Sequence, residues 1–173
     1  MVTIVQKGSL ILRKVAKEVP QNEISSKKIQ KLIREMSEVL ARQEDGIALA
    51  APQVSKSIRL FIISGKALKE ERVTKENPEK NLIFINPIIV KRSNKKNIID
   101  EGCLSVRGVY GKVKRAEKVT LCAYDENGKK IEHGGSGLIA QIFQHEIDHL
   151  DGILFIDKTS DTWDIPVTHE KKS

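Results

Sequence analysis

The sequence predicts an α+β fold with antiparallel sheets, and three observations carry that reading. Two segments, one near each end, repeat apolar residues at helical spacing. The strand-like runs lie between them, and one pair reads as a hairpin. No regular strand–helix alternation is present, which argues against a doubly wound parallel sheet.

The first helix is expected over Ser25 to Arg42, where Ile29, Leu32, Ile33, Met36, Val39 and Leu40 form one apolar face. Ser25 or Ser26 can cap its start, and Asp45-Gly46 ends the segment. Strand-like runs follow at Arg59 to Ser64 and Leu82 to Val90. Between them the charged stretch Lys66 to Lys80 reads as an exposed loop with some helix. Val119 to Tyr124, the turn Asp125 to Gly128, and Lys129 to His133 make the hairpin. Gly134-Gly135 breaks the chain before a second helix from about Gly137 to Leu150, closed by Asp151-Gly152. One domain over residues 1–158 is expected, followed by a polar tail over 159–173 that reads as disordered.

Composition narrows the class. The chain has 173 residues, 39% hydrophobic and 31% charged, an ordinary soluble mixture for one core. Aromatics are only 4%, so the core must rest on Ile, Leu and Val. No apolar run reaches the roughly 18 residues that cross a bilayer. The N-terminus reads as neither a secretory signal nor a transit peptide, which leaves a cytoplasmic protein as the expectation. Two cysteines, Cys103 and Cys122, make no disulfide scaffold. The net charge of +7 favours acidic partners such as ribosomal RNA, although the lysines are interspersed with glutamates and form no stripe with aromatics.

The chemistry gathers on the second helix, in Gln144-His145-Glu146-Ile147-Asp148-His149. Residues four apart share a helical face, so His145 and His149 can address one ion, with Glu146 beside its water. Hydrolysis at a metal needs such a set: ligands that leave a position open, and a carboxylate to accept a proton. Leu138 and Ile142 continue the same stripe as an apolar patch. A third ligand must come from elsewhere. His133 sits at a hairpin end and His169 in the polar tail. Cys103 is better placed, because Gly102 lets the backbone approach a buried site. Cys122, on an alternating strand, reads as a small core residue. A third segment, Gly46 to Gln53 (GIALAAPQ), is small and apolar and ends in a lone amide. It reads either as a surface a peptide backbone can approach or as a tight turn into a strand.

Together and in this order, GIALAAPQ (46–53), EGCLS (101–105) and QHEIDHL (144–150) resemble the peptide deformylase family. The resemblance runs from Leu12 to Asp157. It implies antiparallel sheets packed around a central helix that carries the HExxH motif. It also implies hydrolysis of the N-formyl group from the initiator methionine of new polypeptides, releasing formate. Cys103, His145 and His149 would bind one divalent ion, Fe²⁺ natively, with Zn²⁺, Ni²⁺ or Co²⁺ as substitutes. Glu146 would be the general base, and the Gln53 amide and the Leu104 N–H would stabilise the charge on the formyl oxygen. Gly46, Ile47, Ile99, Tyr110, Leu138 and Ile142 would receive the substrate, and Arg115 and Glu101 would pair to orient the cysteine segment. The partners implied are N-formylmethionyl nascent peptides and, transiently, ribosomes. A monomer in a bacterial-type cytoplasm, with no membrane, is expected, and an organelle is a further option.

The chain departs from the family pattern at Ala48, Arg107 and Gln141, and the long basic C-terminal helix that some members carry is not expected here. Two competing readings remain at this stage. One is a different zinc hydrolase whose third ligand is His or Glu. The other is a catalytically impaired relative that binds ribosomes or peptides.

Overall fold

The computed structural model describes residues 2–70 and 80–165. Helix α1 spans Lys27–Ala41, and the Ser26 side chain caps it by accepting from the Ile29 N–H. Its predicted apolar face is buried as a unit: Ile29, Leu32, Ile33, Met36, Val39 and Leu40. Helix α3 occupies Gly137–Leu150, the predicted span. The chain leaves α3 through Gly152 at φ +74°, a left-handed position that glycine takes without strain. A Cβ there would stand 2.7 Å from the Arg13 carbonyl oxygen. A short helix α2, Gly65–Glu70, opens the charged stretch. The rest of the expected loop, residues 71–79, lies outside the described residues, as do His169 and the end of the tail.

Every strand pair is antiparallel. Strands β1 (Ala48–Ala50), β2 (Leu60–Ile63), β3 (Leu82–Arg92), β6 (Lys118–Tyr124) and β7 (Lys130–Ser136) form a five-stranded sheet in the order β1–β2–β3–β6–β7. Strands β4 (Lys96–Glu101), β5 (Val109–Ala116) and β8 (Thr162–Asp164) form a second sheet in the order β4–β5–β8.

Strand β2 is buried at all four residues because both of its faces are covered. Phe61 and Ile63 face the α3 side with Phe84 and Phe143, whereas Leu60 and Ile62 join the α1 side with Ile83 and Ile85. The few aromatics are concentrated here: the Phe61 and Phe84 rings stack at 4.8 Å, and Phe143 meets Phe84 edge-on at 5.2 Å. A third cluster of Leu12, Val106, Val113, Leu154 and Phe155 underlies the small sheet. Helix α3 thus has the large sheet on one side and the small sheet on the other.

Three expectations need correction. Cys122 is not a core residue. The inward face of β6 is Val119, Leu121 and Ala123, and Cys122 lies half-buried opposite, its Sγ donating to Glu132 Oε2 at 3.6 Å. Gly134-Gly135 does not break the chain: β7 runs through both glycines to Ser136, paired with β6. Within the polar tail, β8 pairs with β5, with Tyr110 opposite Trp163. Main-chain pairing, which a polar composition does not advertise, holds those residues.

Candidate metal centre

Helix α3 is buried nearly all round, and its polar residues each have a task. Gln144 accepts from the Ala116 N–H at 3.0 Å and donates to the Ala116 carbonyl at 3.0 Å, which ties the helix to the end of β5. His145 and His149 then face the loop that follows β4, where Cys103 lies. The three donor atoms of Cys103, His145 and His149 lie within 4.8 Å of one another, and Cys103 Sγ stands 3.2 Å from His149 Nε2. The two imidazoles meet nearly perpendicular, with ring centroids 4.9 Å apart. His133 is elsewhere, its ring edge-on to Phe84 and Phe143.

A buried ionic chain fixes His145. Its Nδ1 meets Glu101 Oε2 at 2.9 Å, which leaves Nε2 for the cysteine side. Glu101 in turn receives Arg115 through two bonds, Nε to Oε1 at 2.6 Å and Nη2 to Oε2 at 2.8 Å. The expected Arg115–Glu101 pair therefore forms, and it is bidentate. Arg115 Nη1 continues to Asp148 Oδ2 at 2.6 Å, and Lys158 Nζ reaches Asp148 Oδ1 at 2.9 Å. The His145 ring also stacks on Phe155.

These contacts set the charges. Burial works to raise the Glu101 carboxyl, but the hydrogen bonds from Arg115 and His145 outweigh it and hold the group at about 2. Burial works to lower the His145 imidazole, but its bonds to Cys103 and Glu101 carry it well above the ordinary value. Burial, with His145 alongside, takes His149 well below that value. Glu146 is 4% exposed, and burial raises its carboxyl to about 7.

Among the described residues, Glu146 Oε2 and His149 Nδ1 are buried polar atoms without a hydrogen-bond partner. A carboxylate oxygen left bare in a closed site costs free energy unless something polar faces it. One sulfur and two imidazole nitrogens converging beside that carboxylate fit a divalent cation of borderline softness, with room in its coordination for a further ligand.

The centre opens into a cavity of about 240 Å³. Its wall includes Gln53, Leu104, Cys103, His145 and Glu146, and on the apolar side Ile47, Tyr110, Leu138 and Ile142. Two sequence-selected residues stay out of it. Gly46 packs against the end of α1, where a Cβ would lie 2.7 Å from Gln43 Cβ, and Ile99 is half-buried on β4 opposite Val113. Gln53 is held by its own chain: Oε1 accepts from the Ala50 N–H at 2.8 Å. That bond assigns the amide, so Nε2 points at Ser105 Oγ, 3.1 Å away, and at Cys103 Sγ, 3.6 Å away. Gly102 packs its backbone against the Tyr110 ring, and a Cβ there would come within 2.8 Å of it.

Sequence reasoning missed several supports. Gln6 donates from Nε2 to the Leu104 carbonyl at 3.0 Å, and its Oε1 accepts from the Arg107 N–H at 3.4 Å. Ser105 braces Gln53, and Lys158 closes the ionic chain. No periodicity marks such residues, and the partners of Gln6 stand about a hundred positions away. The three departures also have places. Ala48 and Gln141 line the cavity, Gln141 Nε2 donates to the Asp100 carbonyl at 3.0 Å, and Arg107 donates to Gln43 and pairs with Asp45.

Fold and site together define a class: α+β proteins that hold one cation between an HExxH helix and a cysteine loop. Comparison with known proteins narrows this further. The model of the polypeptide deformylase family matches residues 1–163. Peptide deformylase 1A, chloroplastic/mitochondrial, of Arabidopsis thaliana is 40% identical over 95% of this chain, which spans 66% of that protein, just under two thirds of its length. Peptide deformylase 2 of Clostridium acetobutylicum is 42% identical over 85% of this chain and 87% of its own. The crystal structure of a peptide deformylase from Legionella pneumophila superposes with a TM-score of 0.78 at 39% identity, covering 92% of this chain and 86% of that one. The chain belongs to the polypeptide deformylase family.

Proposed function

We propose that this protein hydrolyses the N-formyl group from the initiator methionine of newly made polypeptides, releasing formate. The observation that supports this most directly is the convergence of Cys103, His145 and His149 beside the bare carboxylate oxygen of Glu146 in one cavity. Cys103, His145 and His149 hold a divalent cation, Fe²⁺ natively and Zn²⁺, Ni²⁺ or Co²⁺ in its place. Such an ion supplies Lewis acidity to the water and to the formyl group.

The chain's own residues do the rest. Glu146 takes the proton of the attacking water and later delivers it to the departing amine nitrogen. Burial suits it to both tasks, because a carboxyl raised to about 7 accepts and returns a proton near neutral pH. The Gln53 Nε2–H and the Leu104 N–H donate to the formyl oxygen as negative charge grows there; one lost donor of this kind costs about a hundredfold or more in rate. Gln53 is suited to it because its carbonyl end is already engaged by Ala50. Ile47, Tyr110, Leu138 and Ile142 receive the methionine side chain and the adjoining backbone.

The protein works as a monomer on N-formylmethionyl nascent peptides. Its net charge of +7 favours transient association with ribosomes. A bacterial-type cytoplasm suits the reduced Cys103 that the site requires; an organelle is the alternative that the plant relative raises. No helix among the described residues is long and apolar enough to cross a membrane.

The test is formate release from formyl-Met-Ala-Ser by protein loaded with Fe²⁺ without oxygen, with metal content read in the same sample. Glu146→Ala should keep its metal and lose roughly 10²–10⁴-fold in kcat/KM. Cys103→Ser should lose metal. No formate from a fully loaded sample would refute the function, and full metal retention in Cys103→Ser would refute the ligand set.

A further inference from the structure

Strand β8 pairs with β5, whose Tyr110 lines the cavity. Its Trp163 is opposite Tyr110 in the β5–β8 ladder, and the two rings stack with centroids 6.4 Å apart and 26° between planes. Directly opposed aromatic pairs fix each other's rotamers on a sheet face. Tyr110 lines the cavity, and its ring also touches the Gly102 backbone, one residue before Cys103. A second route leads from the same indole. Lys112 Nζ lies 5.4 Å from the centre of the Trp163 ring and bonds Asp100 Oδ1 at 2.9 Å. Asp100 lines the cavity too, and its carbonyl accepts from Gln141. The strand is held by main-chain bonds on both sides of Trp163: Lys112 N–H to the Asp161 carbonyl at 2.9 Å, and Ile165 N–H to the Gly108 carbonyl at 2.8 Å. Trp163 is the only tryptophan in the chain.

We infer that β8 is the outer layer of the substrate wall, and that Trp163 is a positioning residue that sets how tightly the cleft receives a formylated peptide. It acts through Tyr110 and the Lys112–Asp100 pair. This rests on the deformylase reading above and adds to it a specificity element in the C-terminal strand. The reacting atoms are gripped by α3 and the cysteine loop, so loosening Tyr110 weakens ground-state and transition-state binding alike. That pattern raises KM and leaves kcat in place.

Two measurements on the metal-loaded full chain test it. In steady-state assays on formyl-Met-Ala-Ser, Trp163→Ala should raise KM roughly two- to tenfold with kcat nearly unchanged, and Trp163→Phe should restore KM. In the wild-type protein, titration with the tripeptide Met-Ala-Ser should change the emission of the single tryptophan saturably. An unchanged KM in Trp163→Ala, or a fall in kcat that Trp163→Phe shares, would overturn the inference while leaving the deformylase reading intact. A wild-type sample that releases no formate would count against that reading, and the emission titration would still decide the wall: a flat response overturns it.

Discussion

At the scale of single residues, Arg115 carries more of the site than its distance from the cavity suggests. It neutralises two buried carboxylates, Glu101 and Asp148, one of which orients His145. Removing one partner of such a set leaves the others buried without compensation, a loss of about 3–5 kcal/mol. Arg115→Met should therefore lower the urea midpoint of unfolding and, by freeing Glu101 and His145, weaken metal retention roughly 10–100-fold. Charge reversal at Arg115 with unchanged metal content would contradict this role. Two of the proposed ligands, His145 and His149, and the proposed base Glu146 were legible in the sequence because they are local to one helix, and helical spacing alone puts the two imidazoles on one face. Cys103 was legible only through Gly102 and the family resemblance. Gln6, Ser105 and Lys158 were not legible at all, since each acts through one or two polar contacts that leave no periodic trace in the sequence.

At the scale of elements, the single-turn helices Leu10–Arg13 and Phe155–Asp157 are joined by Asp157, which accepts from Arg13 Nη1 and, at 2.8 Å, from the Leu154 N–H. Burial works to raise the Asp157 carboxyl, but these two donors outweigh it and hold it below the ordinary 3.8. A carboxyl depressed in the folded state stabilises above its unfolded value, and that contribution is lost as pH falls through the folded one. Asp157→Asn should thus unfold at lower urea near neutral pH, with the gap to wild type closing as pH falls through and below the ordinary carboxylate range. A constant gap across that range would show that charge plays no part. The helices α1 and α3 and the strands β2, β3 and β6 could be read from the sequence because their buried faces are apolar, whereas β7, which has no buried residue, was legible only as the return of a hairpin. Strands β4 and β5 could not. Their inward positions include Glu101 and Arg115, so the charges that build the site erase the alternation that would have announced the strands. Strand β1, at three residues, is too short to show a period.

At the scale of the whole molecule, two antiparallel sheets share one helix. The five-stranded sheet is bonded to α3 through the Phe61, Phe84 and Phe143 core, and the three-stranded sheet meets it mainly through polar contacts: Gln144 with Ala116, and Arg115 with Asp148. The proposed ligands are divided the same way, His145 and His149 on α3 and Cys103 at the exit of β4. A cation gripped there is also a clasp between halves of unequal cohesion. Withdrawing it with a chelator should let amide hydrogens of β4 and β5 exchange with deuterated water sooner, while those of β3 and β6 keep their protection. Equal acceleration across both sheets would mean that the ion braces the entire chain. If the clasp is local, starvation for metal leaves a folded protein with one loosened flap, ready to close again as soon as the ion returns.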